Sequence, residues 1–361
     1  MASGERRRSA IGRATRGRLR KRPLAYAAGA LGIVLAIGVV QVEIDRRFPE
    51  PAEVHPSPER TLRAFAPDSW WNTRLPRHAP AHPAGKQILH YLRTGPGSGP
   101  GCLLLSGTAD TRWGTPIFWA KPTDPEYDFE ELGWRLPPEL DEMRMPTDAR
   151  PAVDGSGTMT VYDVDKGYVV ALTNAGYDEA TDTWSATAAT VTYLDSNGLH
   201  QRTRQSDDFR NTGTHRGNNG ATWAVSWDQV QTGDIGHVLK IASGPTLSRR
   251  FIFPLVGSDG SYAGSDPGVP PAGTRLRLRP SVDLGALDLD PAAEVIAEAI
   301  QEYGVYIGDS GARTALNLEN TDAEGRGKLW NLRRDELCGL PFRPRYWEVI
   351  AESFDPTGSA P

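Results

Sequence analysis

In residues 158–174, TMTVYDVDKGYVVALTN, apolar and polar side chains alternate before a Lys-Gly pair and an apolar run, YVVAL, follows it, and residues 183–198, TWSATAATVTYLDSNG, alternate on either side of Ala188-Ala189 and stop at Asn-Gly. A period of two buries one face of an extended strand and gives a helix no continuous apolar stripe. The two stretches predict a hairpin with a two-residue turn at Lys166-Gly167, followed by a third strand. Further strands are predicted at GHVLKIA (236–242), RRFIFPLV (249–256), TRLRLRP (274–280), GVYIGD (304–309) and TALNLEN (314–320), separated by Gly, Pro and Asp clusters.

One segment reads clearly as helix. In DPAAEVIAEAIQEYG, Asp290 is placed to cap, Pro291 suits the first turn and Gly304 closes the end. Ala292, Val295, Ile296, Ala299, Ile300 and Tyr303 make its apolar stripe. A shorter helix is predicted near 85–93. Many short strands with one or two short helices predict a mainly β fold, a β-sandwich or jelly-roll-like domain.

The first 62 residues differ in kind. Residues 1–22 carry eight Arg and one Lys against one Glu, and Leu24 to Val42 is a nineteen-residue apolar run with Gln41 its only strongly polar side chain. That length suits a bilayer-spanning helix, and the basic flank belongs in the cytoplasm under the positive-inside bias. A cleaved signal peptide would have a shorter apolar region and small residues at a cleavage site, whereas QVEIDRRFPE follows here. The expected organisation is a basic cytoplasmic tail (1–22), a transmembrane signal anchor (23–42), a Pro-rich linker (43–62), an extracytoplasmic β-rich domain (63–355) and a disordered tail (356–361). The expected localisation is the cell membrane, single-pass, and the membrane is a partner through residues 23–42.

The chain's formal charge is −5, so removing a tail of about +8 leaves about −13 for the remainder. An acidic domain is a poor general attractor of nucleic acid or anionic surfaces, and no nucleic-acid partner is expected. Cys102 and Cys338 are the two cysteines. On the exported side they can form one disulfide, and their spacing fits no zinc pattern. The seven histidines show no metal-binding spacing, and no Walker loop, dinucleotide glycine pattern or nucleophile elbow occurs, so neither metal nor cofactor is expected.

DSWWNTRL, GTPIFWA with RMPTDARPAVDGSGTMTVYDVDKG, TWSATAATVTYLDSNGL, GDIGHVLKIA and YGVYIGDSG follow one another between Asp68 and Gly311. In this order they resemble a family of secreted or membrane-anchored bacterial proteins. The resemblance implies an exported sandwich-like domain with a role on glycans, and it carries over no catalytic residue.

Candidate chemistry comes from the residues themselves. NTGTHRGNNGATWA, residues 211–224, sets His215, Arg216, Asn218 and Asn219 among glycines and ends at Trp223. Polar groups beside an aromatic face suit a sugar, which makes Arg216, Asn218, Asn219 and Trp223 candidate substrate-binding residues; asparagines capping their own turns explain the loop equally well. His237, on the alternation face of Leu239 and Ile241, is either a core histidine or a general base, a role also open to His215. Hydrolysis of a glycoside needs two carboxyl groups, and Asp163, Asp309, Glu319, Asp228 and Asp234 are candidates. Asp309 shares the alternation face of Val305 and Ile307, and Asp163 that of Met159 and Val161. Arg275, Arg277 and Arg279 form a row that is expected to be a solvated face or, alternatively, to grip an acidic sugar. Two functions follow from these residues: a glycan-active enzyme, hydrolase or polysaccharide lyase, with His237, Asp309, His215 and Asp163 as catalytic candidates, or a non-catalytic surface domain binding carbohydrate or protein.

Overall fold

The computed structural model describes residues 54–355 apart from 109–112, 154–155 and 215. The expected tail and membrane anchor (1–42), most of the linker, the terminal tail (356–361) and His215 lie outside the described residues. Among those described, no helix is long and apolar enough to cross a membrane.

The fold is mainly β. In chain order the strands are β1 (Leu104–Ser106), β2 (Ile117–Trp119), β3 (Glu126–Tyr127), β4 (Glu130–Glu131), β5 (Met143–Arg144), β6 (Met159–Asp163), β7 (Tyr168–Thr173) and β8 (Gly176–Asp178). They continue as β9 (Thr183–Ala186), β10 (Ala188–Tyr193), β11 (Thr212–Gly213), β12 (Leu239–Ser243), β13 (Arg275–Leu278), β14 (Val305–Ser310), β15 (Ala315–Asn317) and β16 (Trp347–Val349). Three α-helices occur among the described residues: α1 (Gly85–Thr94), α2 (Trp227–Gln231) and α3 (Pro291–Glu302). A six-stranded sheet runs β1-β15-β12-β14-β13-β16 and a five-stranded sheet β11-β10-β7-β6-β2, with two smaller sheets, β3-β5 and β4-β9-β8.

The six-stranded sheet sorts its residues by alternation. Leu239, Ile241, Leu276, Leu278, Val305 and Ile307 join one core with Ile88, Leu89 and Leu92 of α1 and Ile296 and Ile300 of α3. Each such aliphatic side chain stabilises the fold by about 1.5–3 kcal/mol when fully buried. Tyr306 points to the opposite face, into a second core with Trp70, Trp71, Ile117, Tyr162 and Val169. Since Ile117, Tyr162 and Val169 belong to the five-stranded sheet, this core draws on both large sheets.

Helix α3 follows its sequence closely. Asp290 Oδ1 accepts from Ala292 N at 2.9 Å, and Gly304 takes a φ of 79° just past the end. Its buried face is Ala293, Ile296, Ala297, Ala299 and Ile300, turned slightly from the predicted stripe.

Three strand predictions differ. Asp163 pairs with Tyr168, so the hairpin has a four-residue loop rather than two, closed by Lys166 N donating to Asp163 Oδ1 at 2.8 Å and Gly167 N to Asp163 O at 2.9 Å. Residues 183–198 split into β9 and β10, which belong to different sheets. RRFIFPLV is irregular: Arg249 has a φ of 59°, Pro254 has no N–H to give a ladder, and only Phe251 bridges, to Ala272.

Cys102 and Cys338 are joined as a disulfide with a Cα separation of 5.0 Å, tying residues 236 apart in sequence.

Candidate functional site

A bulge decides where Asp309 points. β12 and β14 pair in parallel as Leu239 with Val305, Lys240 with Tyr306 and Ile241 with Ile307, and then Ala242 faces Asp309, leaving Gly308 as the extra residue. One extra residue reverses the alternation that follows it. Asp309 therefore leaves the face of Val305 and Ile307, where the sequence places it, and joins that of Lys240. Only glycine fits at the bulge, because a Cβ there would stand 2.5 Å from Asn218 Oδ1.

Asn218 holds the bulge in place. Its Nδ2 donates to Gly308 O at 2.7 Å, and its Oδ1 accepts from the Tyr306 hydroxyl at 3.0 Å. Asn219 Oδ1 accepts from Thr222 N at 3.1 Å, capping a short turn. Both asparagines are buried, and so is Trp223 at 2 % exposure, with Lys240 Nζ over its ring at 3.9 Å. Three of the four candidate substrate-binding side chains thus support the loop rather than line its surface.

Arg216 is the fourth. It sits in the left-handed region with φ 59° beside Gly217, and its Nη2 donates to Asp309 Oδ1 at 2.6 Å. The same nitrogen lies 3.5 Å from Asp259 Oδ2, and Lys240 Nζ lies 3.5 Å from Asp309 Oδ2. Asp259 Oδ2 and Asp309 Oδ1 also face one backbone donor, Ser310 N, at 3.0 and 3.1 Å, which sets the two carboxyl groups side by side. Arg216, Asp259 and Asp309 keep 22 %, 26 % and 27 % of their side-chain surface open, while Lys240, at 4 %, lies beneath them.

The two carboxyl groups have different proton affinities. Burial raises the pKa of Asp309, opposed by the Lys240 and Arg216 charges and reinforced by Asp259. Burial also acts to raise Asp259, but its hydrogen bond to Asp309, the Arg216 charge and the N–H of Ser310 outweigh that and hold it below its ordinary value. Lys240 is lowered, by burial first and by Arg216 as well, against the pull of Asp309. The two carboxyl groups are thus pushed in opposite directions, Asp309 towards keeping its proton and Asp259 towards giving it up.

The other catalytic candidates lie elsewhere. His237 precedes β12 and lines a small cavity with Trp71, Tyr162 and Thr222, away from the core of Leu239 and Ile241; alternation does not reach it because the strand starts two residues later. Its ring contacts Val238 O at 2.9 Å and Gln229 Oε1 at 3.3 Å, and burial lowers its pKa. Asp163 closes the hairpin loop and lies 3.4 Å from Arg144. Glu319 and Asp228 belong to a buried ion network with Glu324, Arg60 and Arg326, in which Arg326 Nη1 reaches Glu319 at 2.9 Å and Asp228 at 2.8 Å. Asp234 is exposed. None of these shares a charged partner with Asp309.

Two of the arginine row, Arg275 and Arg277, are buried rather than solvated, whereas Arg279 keeps 37 % of its side chain open and pairs with Glu348 at 3.0 Å. Arg275 donates to Tyr303 O and stacks on Trp70 at 4.4 Å, and burial, aided by the Arg277 charge, pushes its pKa down to about 9. Arg277 bonds Glu348, Pro76 O and Arg77 O. The segment at 70–77 covers this face.

Asp259 and Lys240 are the members that reading the sequence passes over. A lysine amid the apolar residues of GHVLKIA was the available signal for one, whereas the GSDG setting of Asp259 reads as a turn. Among the described residues no group of three or more His, Cys, Asp or Glu side chains is arranged to hold a metal ion. Compared with known proteins, the chain matches no family model, no curated protein and no solved structure.

Proposed function

We propose that this chain is anchored by residues 23–42 and presents, outside the cytoplasm, a sandwich-like domain that acts on uronate-containing glycans as a lyase. The core common to both large sheets supports the sandwich reading, and the basic flank before the apolar run supports the orientation.

The observation that carries the chemistry is that Asp309 and Asp259 stand side by side, both facing Arg216 Nη2 and Ser310 N. Glycoside hydrolysis places its two carboxyl groups about 5 Å apart or more, around the bond to be cut. Groups that share the Arg216 and Ser310 donors stand together on one side, which suits a syn elimination, where the proton and the leaving oxygen depart from the same face. Arg216's planar fork matches the uronate carboxylate and stabilises charge that develops on it. Asp259 takes the proton from the carbon next to that carboxylate, a carbon–carbon double bond forms, the carbon–oxygen bond breaks, and the departing oxygen takes the proton of Asp309. The proton then passes from Asp259 to the adjacent Asp309. Lys240 is a positioning residue that offsets the buried carboxyl charge from below.

A second reading, a non-catalytic surface domain, draws on Trp134 and Trp113, exposed at 68 % and 56 %. The test is to incubate the purified full-length chain with uronate polymers and follow the absorbance of unsaturated ends. Saturated reducing ends would assign hydrolysis instead, and binding without any product would favour the surface domain.

A further inference from the structure

Helix α1 turns Ile88, Leu89 and Leu92 inward. Lys86, His90 and Arg93 recur at i, i+4 and i+7 on its other side, where they meet Arg343 and Arg345 of the loop before β16 around a cavity of about 450 Å³. None of the four Lys and Arg side chains pairs with a carboxylate among the described residues. Phe342 and Pro344 give the cleft an apolar part. In a domain that is acidic overall, a carboxylate-free gathering of cations from two elements is a local feature that solubility does not require.

Lys86 and His90 also border a second cavity, of about 560 Å³, which adjoins the first along the Lys86–His90 ridge. Its walls include Tyr91, Tyr262, Pro96 and Pro245, with Asp266 its one acidic side chain. Tyr91 is fixed by its hydroxyl, which donates to Pro245 O at 2.6 Å. One residue on, Thr246 Oγ1 lies 3.0 Å from the hydroxyl of Ser310, the neighbour of Asp309. The aromatic cavity therefore borders the segment that packs against the end of β14.

From this juxtaposition we infer that the paired cavities along the Lys86–His90 ridge of α1 bind an anionic oligosaccharide, its acidic groups in the Lys86–Arg93–Arg343–Arg345 cleft and its ring faces against Tyr91 and Tyr262. The identity of the ligand rests on the glycan reading above; the site itself does not. Cations without carboxylate partners, Arg93 against His90 and Arg345 over the Tyr346 ring among them, supply charge-assisted bonds to carboxylate or sulfate, and aromatic and proline faces supply contact to sugar C–H surfaces, a combination that neither free phosphate nor a flat lipid surface uses.

The experiment is calorimetric titration of the full-length chain with an oligogalacturonate, a neutral xylan oligomer of equal length, inorganic phosphate and phosphatidylglycerol vesicles. Binding of the oligogalacturonate alone is expected, weakening as salt rises. The combined variant Lys86→Gln, Arg343→Gln, Arg345→Gln should bind at least about tenfold more weakly, since one lost charge-assisted bond already corresponds to that ratio. Lys86→Arg, which keeps the charge, should bind as the parent does. Equal binding of charged and neutral oligomers, binding of phosphate or vesicles only, no binding, or an unaffected combined variant overturns the proposal. Asp309→Asn separates the two ideas: it should still bind the oligogalacturonate, and if it also retained turnover, the catalytic reading would fall while this site stood.

Discussion

Arg216 Nη2 meets Asp309 Oδ1 at 2.6 Å, joining the asparagine-rich loop to the bulged end of β14 across 93 residues of sequence. The contact fixes a cation beside the carboxyl pair before any ligand arrives. Arg216→Gln keeps donors but removes the charge, so kcat/KM on a uronate polymer should fall by about 10²–10³, the usual effect of losing one group that stabilises a developing anion. Oligosaccharide binding at the α1 cleft should be unchanged. A loss of binding there with turnover intact would contradict the assignment.

The Asp309 titration tests the electrostatics without a substrate. Lys240 carries positive charge and acts to lower the Asp309 pKa, whereas Asp259 acts to raise it. Carbon-detected NMR should therefore show Asp309 titrating at higher pH in Lys240→Met and at lower pH in Asp259→Asn. Shifts of the opposite sign would mean that the carboxyl groups do not interact as placed.

Much of the frame can be read from the sequence, and the site only in part. The cap, stripe and closing glycine of α3 are local signals, as are the alternation of β6 and the apolar run of β7, so they survive into the fold. The direction of Asp309 is not local: one bulged glycine, held by Asn218 from a distant loop, moves it to the other face. Asp259 is harder still, because it follows an irregular segment whose composition reads as strand. Trp223 looks like a sugar platform until the packing shows Lys240 lying over it.

Glu324 predicts how stability changes with pH. Burial and the neighbouring Glu319 charge hold its pKa above the usual carboxylate range, against the Ile117 N–H and Arg60. A raised pKa means that the folded state binds the proton more tightly, so this contribution is fully present below the ordinary glutamate value and is lost as pH rises through the folded value. Glu324→Gln does not ionise. Its thermal midpoint should decline less than the parent's from neutral to alkaline pH, and an identical decline would show that Glu324 is already ionised in the fold.

Arg60 ties the start of the domain to the same network, 3.3 Å from Glu319 and 2.9 Å from Glu324. Removing one partner of a buried ion pair typically costs about 3–5 kcal/mol, and less here to the extent that Arg326 keeps Glu319 paired. Arg60→Ala should lower the denaturation midpoint accordingly, and fragments that begin after Arg60 should be destabilised to a similar degree. A midpoint unchanged in both would place residues 57–60 outside the cooperative unit.

The most direct measurement is end-group analysis of a uronate polymer exposed to the full-length chain and, in parallel, to Asp309→Asn. The account predicts unsaturated ends accumulating with the parent chain and a near-complete loss of them with Asp309→Asn, whose binding persists. Unsaturated ends formed equally by both proteins, or no unsaturated ends from any uronate polymer that the parent binds, would contradict it.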